Sequence, residues 1–188
     1  MLIPMNNETN QFKIIIESLD DIKSGRTSAI YIHLTESDER IGYVILRGND
    51  KNPEEREIGW EIENPAYRRK RIMSWALREI AKQGIEEGWF SSLYAKIYHT
   101  NNASKKTAER LGLVKVPHRE DNSVGVLRFA ANADKISEAI SKRPLSAPSV
   151  GFNDASIPSD GGLSLLSQQN VKRPVAAVVR RGLTQSKN

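Results

Sequence analysis

Four consecutive basic residues, Arg68, Arg69, Lys70 and Arg71, stand directly before a run with the apolar spacing of a helix. The first-turn N–H groups of a helix have no partner within it, and the helix dipole favours negative charge there. Lys and Arg clustered at such a junction attract phosphate of any kind. The run therefore reads as a phosphate site, a nucleic-acid contact or a solvated turn. A nucleic-acid reader would need more basic residues on one face than the rest of the body supplies. Upstream, Glu61 and Glu63 alternate on one face of a strand, where they can face solvent or pair with the basic run. Downstream, Asn101 and Ser104 open a short helix that Asn101 is suited to cap. Other chemistries are poorly supplied. Cysteine is absent, which removes thiolate metal sites, disulfides and a Cys nucleophile together. His33, His99 and His118 share no metal-ligand spacing, and there is neither a Walker loop nor a nucleophile elbow.

The elements that position these residues follow one another closely. Glu57 to Ile62 alternates as a strand buried on one face, and Asn64-Pro65 breaks it. After the basic run, Ile72, Met73, Ala76, Leu77, Ile80 and Gly84 form a helical stripe. Ser92 to Tyr98 is a second strand, and the Asn101-capped helix stops at Leu111-Gly112-Leu113.

This order of strand, basic turn, helix, strand, Asn-capped helix and Gly stop resembles the GCN5-related N-acetyltransferases, which use acetyl-CoA. Within them it looks most like the group that acetylates ribosomal-protein N-termini. The matching pieces are Ile58-Gly59-Trp60, Tyr67-Arg68-x-Lys70, and Asn101-x-x-Ser104 followed by Glu109-Arg110-Leu111-Gly112. The resemblance implies an α/β fold: a mixed, mostly antiparallel sheet with helices on both faces. It implies that the basic turn, with Arg68, Arg69, Lys70 and Arg71, cradles the pyrophosphate of acetyl-CoA, and that Asn101 flanks the thiol. It also implies Glu61 as general base and Ser104 as the group that protonates the departing thiolate; the tyrosine many relatives carry for that purpose is here Ala108. The family's pattern at the turn calls for small residues where this chain has Arg71 and Met73. Two functions remain open: acetyl transfer to a primary amine (a protein N-terminus, a lysine or a small amine), or an inactive acetyltransferase fold serving as a binding or structural component.

Outside this stretch, Phe12, Ile15, Ile16, Leu19 and Ile22 sit at helical spacing, which favours a helix within residues 9–24, although Ile14 to Ile16 is β-branched enough for a strand. There is room for one helix at most before the next strand. Ser28 to Leu34 and Arg40 to Leu46 form a hairpin; Val114 to Val116 and Ser123 to Phe129 are the last strand pair; Ala130 to Lys142 is a closing helix.

With 188 residues and 38% hydrophobic content, one domain with a real core is expected, over residues 1–143. Residues 144–188 are rich in Ser, Pro, Gly, Asn and Gln. They carry five basic residues against two acidic ones, +3 of the chain's formal +5. Their apolar islands, Leu163 to Leu166 and Val175 to Val179, suit docking to a protein partner, for instance in a phage particle or effector complex. No charged leader precedes an apolar core at the N-terminus, and no apolar run spans a membrane. The expected location is the cytoplasm, or the interior of a virion or assembly.

Overall fold

The computed structural model describes residues 11–117, 125–146 and 148. The chain divides into two units, Met1–Gly151 and Phe152–Asn188, and every described residue belongs to the first. Residues 144–188, expected as a docking tail, thus fall outside the described residues apart from 144–146 and 148. So do His118 and Ser123.

The elements run β1 (Phe12–Ile16), α1 (Leu19–Lys23), β2 (Ser28–Leu34), β3 (Arg40–Arg47), β4 (Glu55–Ile62), α2 (Ile72–Glu86), β5 (Ser92–Tyr98), α3 (Asn102–Arg110), β6 (Val114–Val116), β7 (Val126–Asn132) and α4 (Ala133–Lys142). Seven strands make one sheet in the order β1-β2-β3-β4-β5-β7-β6. Among the described residues its only parallel pair is β4 with β5, and the other pairs are antiparallel. The expected mixed, mostly antiparallel α/β fold is the one observed.

Residues 12–16 correct the helical reading of 9–24. They form an edge strand paired with β2, from Phe12 opposite Leu34 to Ile16 opposite Ile30. Phe12, Ile14 and Ile16 are buried while Lys13 and Ile15 are half-buried, a period of two. β-branched side chains with a hydrophobic partner strand override the helical spacing. The helix is reduced to α1, whose cap Ser18 accepts the Asp21 N–H at 3.2 Å. The other correction is at the closing helix. Ala130 and Ala131 pair with Tyr94 and Leu93, so the strand continues to Asn132. That residue then caps α4 by accepting the Lys135 N–H at 3.0 Å.

Alternation along the strands gives the sheet two unlike sets of side chains. One set, including Ile14, Ile30, Val44, Ile58, Leu93 and Phe129, enters a single core cluster. Ile22 of α1, the long stripe of α2, Ala108 of α3 and Ile136 of α4 join that same cluster. The other set, with Tyr31, Tyr43, Glu57 and Tyr94, is half-buried. α2 packs so closely on the loop after it that a β-carbon on Gly84 would lie 2.4 Å from the Phe90 ring.

Candidate active site

β4 and β5 part company in mid-strand. Their parallel pairing runs from Glu55 opposite Ser92 to Glu57 opposite Tyr94 and goes no further. Beyond it β4 stays on β3 as far as Ile62 opposite Gly42, and β5 stays on β7 as far as Tyr98 opposite Val126. The inner edges of Ile58–Ile62 and Ala95–Tyr98 thus lack a ladder between them. Apart from the Ile62 and Tyr98 carbonyls, which Arg68 and Asn101 take, their inward main-chain groups have no ladder partner across the gap among the described residues and are open to an extended molecule laid there.

The basic turn begins where β4 ends. Asn64 fixes the entry: its Oδ1 accepts the Ala66 N–H at 3.0 Å, and its Nδ2 donates to Glu39 Oε1 at 2.9 Å. A short 3-10 turn over Pro65–Tyr67 follows. Arg68 Nε then donates back to the Ile62 carbonyl at 3.1 Å, and Lys70 Nζ stands 5.4 Å from the Tyr67 ring centre. Arg69 and Arg71 both take left-handed backbone angles, with φ of 64° and 61°. α2 starts immediately after Arg71, which gives it no side-chain cap. The first helical bond is Trp75 N–H to the Arg71 carbonyl at 3.0 Å. The N–H groups of Ile72, Met73 and Ser74 consequently have no partner within the helix, and a left-handed residue followed by right-handed ones turns successive N–H groups into an anion-binding concavity.

This geometry bears on the two residues that depart from the family pattern. Arg71 holds the left-handed conformation that glycine would adopt without strain, and its side chain is exposed, as are those of Arg68, Arg69 and Lys70. Met73 is buried in the core cluster and does not reach the turn's outer surface. Backbone N–H groups, a helix N-terminus and four exposed cations together fit a pyrophosphate.

Glu61 lies on β4 opposite Tyr43, whose hydroxyl donates to Glu61 Oε2 at 3.0 Å. This bond, followed by burial and the Glu61 and Glu63 charges, pushes the Tyr43 phenol above its ordinary range. Glu63 is occupied by Arg40, through Nε at 2.9 Å and Nη2 at 3.0 Å. The carboxylates are thus distributed between Tyr43 and Arg40, and neither is paired with the basic run. On the β5 side of the gap, Asn101 N–H donates to the Tyr98 carbonyl at 2.9 Å, anchoring α3 to the strand end. Asn101 Oδ1 accepts the Ser104 N–H at 3.0 Å, so it is a helix cap. The half-buried Ser104 hydroxyl makes no hydrogen bond among the described residues. The topology therefore brings Glu61 and the Arg68–Arg71 turn to the β4 side of the gap, and Asn101 and Ser104 to the β5 side. Tyr43 escaped the sequence reading, because its pairing with Glu61 depends on strand register.

Residues 3–114, well over half of the chain, match the family described as Acetyltransferase (GNAT) domain. The chain belongs to the GNAT acetyltransferase family. No curated protein matches it in sequence. Among solved structures similar to this GNAT chain is RimL, a ribosomal L7/L12 alpha-N-protein acetyltransferase in complex with coenzyme A. It is 13% identical, with 72% of this chain and 99% of that chain covered and a TM-score of 0.57. A chimera of the spermidine N-acetyltransferase SpeG from Vibrio cholerae and hSSAT is 16% identical, with 62% and 73% covered and a TM-score of 0.52. A GNAT-family acetyltransferase from Bacillus anthracis is 19% identical, with 56% and 66% covered and a TM-score of 0.50. The chain thus spans just under two thirds of that last protein. Identities this low establish a shared fold. Among the described residues, no group of side chains could hold a metal ion, and no helix is long and apolar enough to cross a membrane.

Proposed function

We propose that this GNAT protein transfers an acetyl group from acetyl-CoA to a primary amine. The observation that carries the reading is the parting of β4 from β5 beside a left-handed, cation-rich helix N-terminus. Acetyl-CoA supplies the acetyl group as an activated thioester. The N–H groups of Arg69, Lys70, Arg71 and the first turn of α2 hold the pyrophosphate, with the exposed side chains of Arg68 to Arg71 adding charge. The open edges of β4 and β5 take the amide-bearing arm. Glu61 accepts a proton from the attacking amine, held by the Tyr43 hydroxyl in a fixed orientation. Ser104 donates its hydroxyl proton to the leaving sulfur and regains one from solvent water, to which Glu61 returns the proton it took, and Asn101 keeps α3 in place to present the hydroxyl.

The test is thiol release from acetyl-CoA with peptides bearing free N-termini, with lysine and with spermidine. Turnover with at least one amine is expected, together with loss of most of it in Glu61→Gln while acetyl-CoA still binds. Turnover that survives Glu61→Gln would remove Glu61 as the base. Binding of acetyl-CoA without turnover on any amine would leave a fold that holds the coenzyme but lacks this activity.

A further inference from the structure

The flank of α3 turned away from Ser104 borders an open groove of about 780 Å³. At about 100° per residue, Lys105, Lys106 and Glu109 share one flank of that helix, and Ser104, Thr107 and Leu111 share the other. The opposite wall is the sheet edge. Lys115 of β6 sits directly across from Phe129 of β7 on the groove side, with Leu127 two residues along. The apolar floor is thus ringed by three lysines against one glutamate. Lys105 Nζ donates to the His99 carbonyl at 2.7 Å. Lys106 and Lys115 are exposed and make no ion pair among the described residues. Val114, at the lip, is 53% exposed, unusual for a large apolar residue here. Among the described residues β6 ends the sheet and is paired on one side only, so its outer edge offers unladdered main chain to an incoming segment.

We propose that this groove docks an acidic peptide segment of a protein partner, with an apolar side chain seated on the half-buried Leu127 and flanking carboxylates on Lys106 and Lys115. Charge decides the chemistry of the occupant: a basic segment would meet three ammonium groups, and a neutral one would leave them without counter-charge. The free edge of β6 favours a peptide, which can add main-chain hydrogen bonds, over a small amphiphile, which cannot. The volume suits one or two large side chains and their backbone. This inference is independent of acetyl transfer.

The test uses the full chain and a short fluorescein-labelled peptide in which glutamates flank a pair of leucines, followed by fluorescence anisotropy. Saturable binding is expected, weakened roughly tenfold or more in Lys106→Glu/Lys115→Glu. The counterpart peptide with lysines in place of glutamates should bind that variant better than the parent. Lys106→Gln/Lys115→Gln removes charge without adding repulsion, should weaken binding less, and serves alone if the reversed variant fails to fold. Excess acetyl-CoA should leave the peptide bound. The proposal is overturned if the acidic peptide does not bind, if it binds the charge variants as well as the parent, if acetyl-CoA displaces it, or if decanoate occupies the groove and the peptide does not.

Discussion

Arg71 concentrates the chemistry of the turn in one residue. Its left-handed backbone costs a side chain bearing a β-carbon roughly 1–2 kcal/mol. Glycine would relieve that strain but lose about 0.5–1 kcal/mol to the freer unfolded chain. Arg71→Gly should therefore stay within about 1 kcal/mol of the parent in urea unfolding, whereas Arg71→Val should lose stability. A valine variant as stable as the glycine one would show that residue 71 is not left-handed. Tyr43 permits a sharper prediction. Removing its hydroxyl in Tyr43→Phe frees the Glu61 carboxylate, so kcat should fall roughly five- to tenfold with little change in the KM for acetyl-CoA. The same bond has a pH signature. The folded-state phenol is raised above its unfolded value, so its contribution is complete below the ordinary tyrosine value near pH 10 and is lost as pH rises through the raised one. The stability difference between parent and Tyr43→Phe should be constant around neutrality and shrink in strong alkali. Glu61 and Asn101 were legible in the sequence, from strand alternation and from helix-cap chemistry. Tyr43 was not, because no local pattern says which residue of β3 stands opposite Glu61.

Among the elements, the approach of β3 to β4 at the candidate site depends on a missing side chain. A β-carbon on Gly42 would lie 2.5 Å from the Glu61 carbonyl oxygen and 3.2 Å from Ile62 Cα. Backbone cannot swing aside as a side chain does. Gly42→Ala should therefore cost roughly 1–3 kcal/mol and displace the Glu61 segment, with turnover falling further than the stability loss explains. Gly59→Ala is the matched control. Its new carbon would meet only Arg47 Nη1, at 3.4 Å, and should cost no more than about 0.5 kcal/mol. Comparing melting temperature and thiol release across the pair separates strand displacement from general loosening. The misread elements also have physical causes. The segment 12–16 carries helical and strand patterns at once, and pairing with β2 decides between them. Ala130 and Ala131 favour a helix by propensity, yet the ladder to β5 keeps them in the sheet.

Over the whole molecule, one buried cation ties distant parts together. Arg56 of β4 is 4% exposed; its Nη2 donates to the Ile22 carbonyl of α1 at 2.7 Å, and its Nε reaches the Trp89 carbonyl beyond α2 at 3.4 Å. Arg56→Met keeps bulk but removes the donor to the Trp89 carbonyl and one of the two donors to the Ile22 carbonyl, which the Gly25 N–H also reaches at 3.1 Å. It should lower unfolding stability by roughly 2–4 kcal/mol, read from the denaturant midpoint. The order of elements around the site was legible because each is signalled locally, by alternation, a cap or a Gly stop. The parting of β4 from β5 was not, since it is a property of two strands separated by a whole helix, and neither strand differs in composition where the pairing ends.

Calorimetric titration of the full chain with acetyl-CoA reads the proposed coenzyme site itself. The expected result is saturable binding between roughly 1 μM and 1 mM. Binding should weaken as salt screens the exposed cations and fall about tenfold when Arg68 and Arg69 are both changed to Ala, while Glu61→Gln binds like the parent. Absence of binding heat at every temperature tried, or binding indifferent to both salt and the arginine pair, would contradict a coenzyme site at the head of α2.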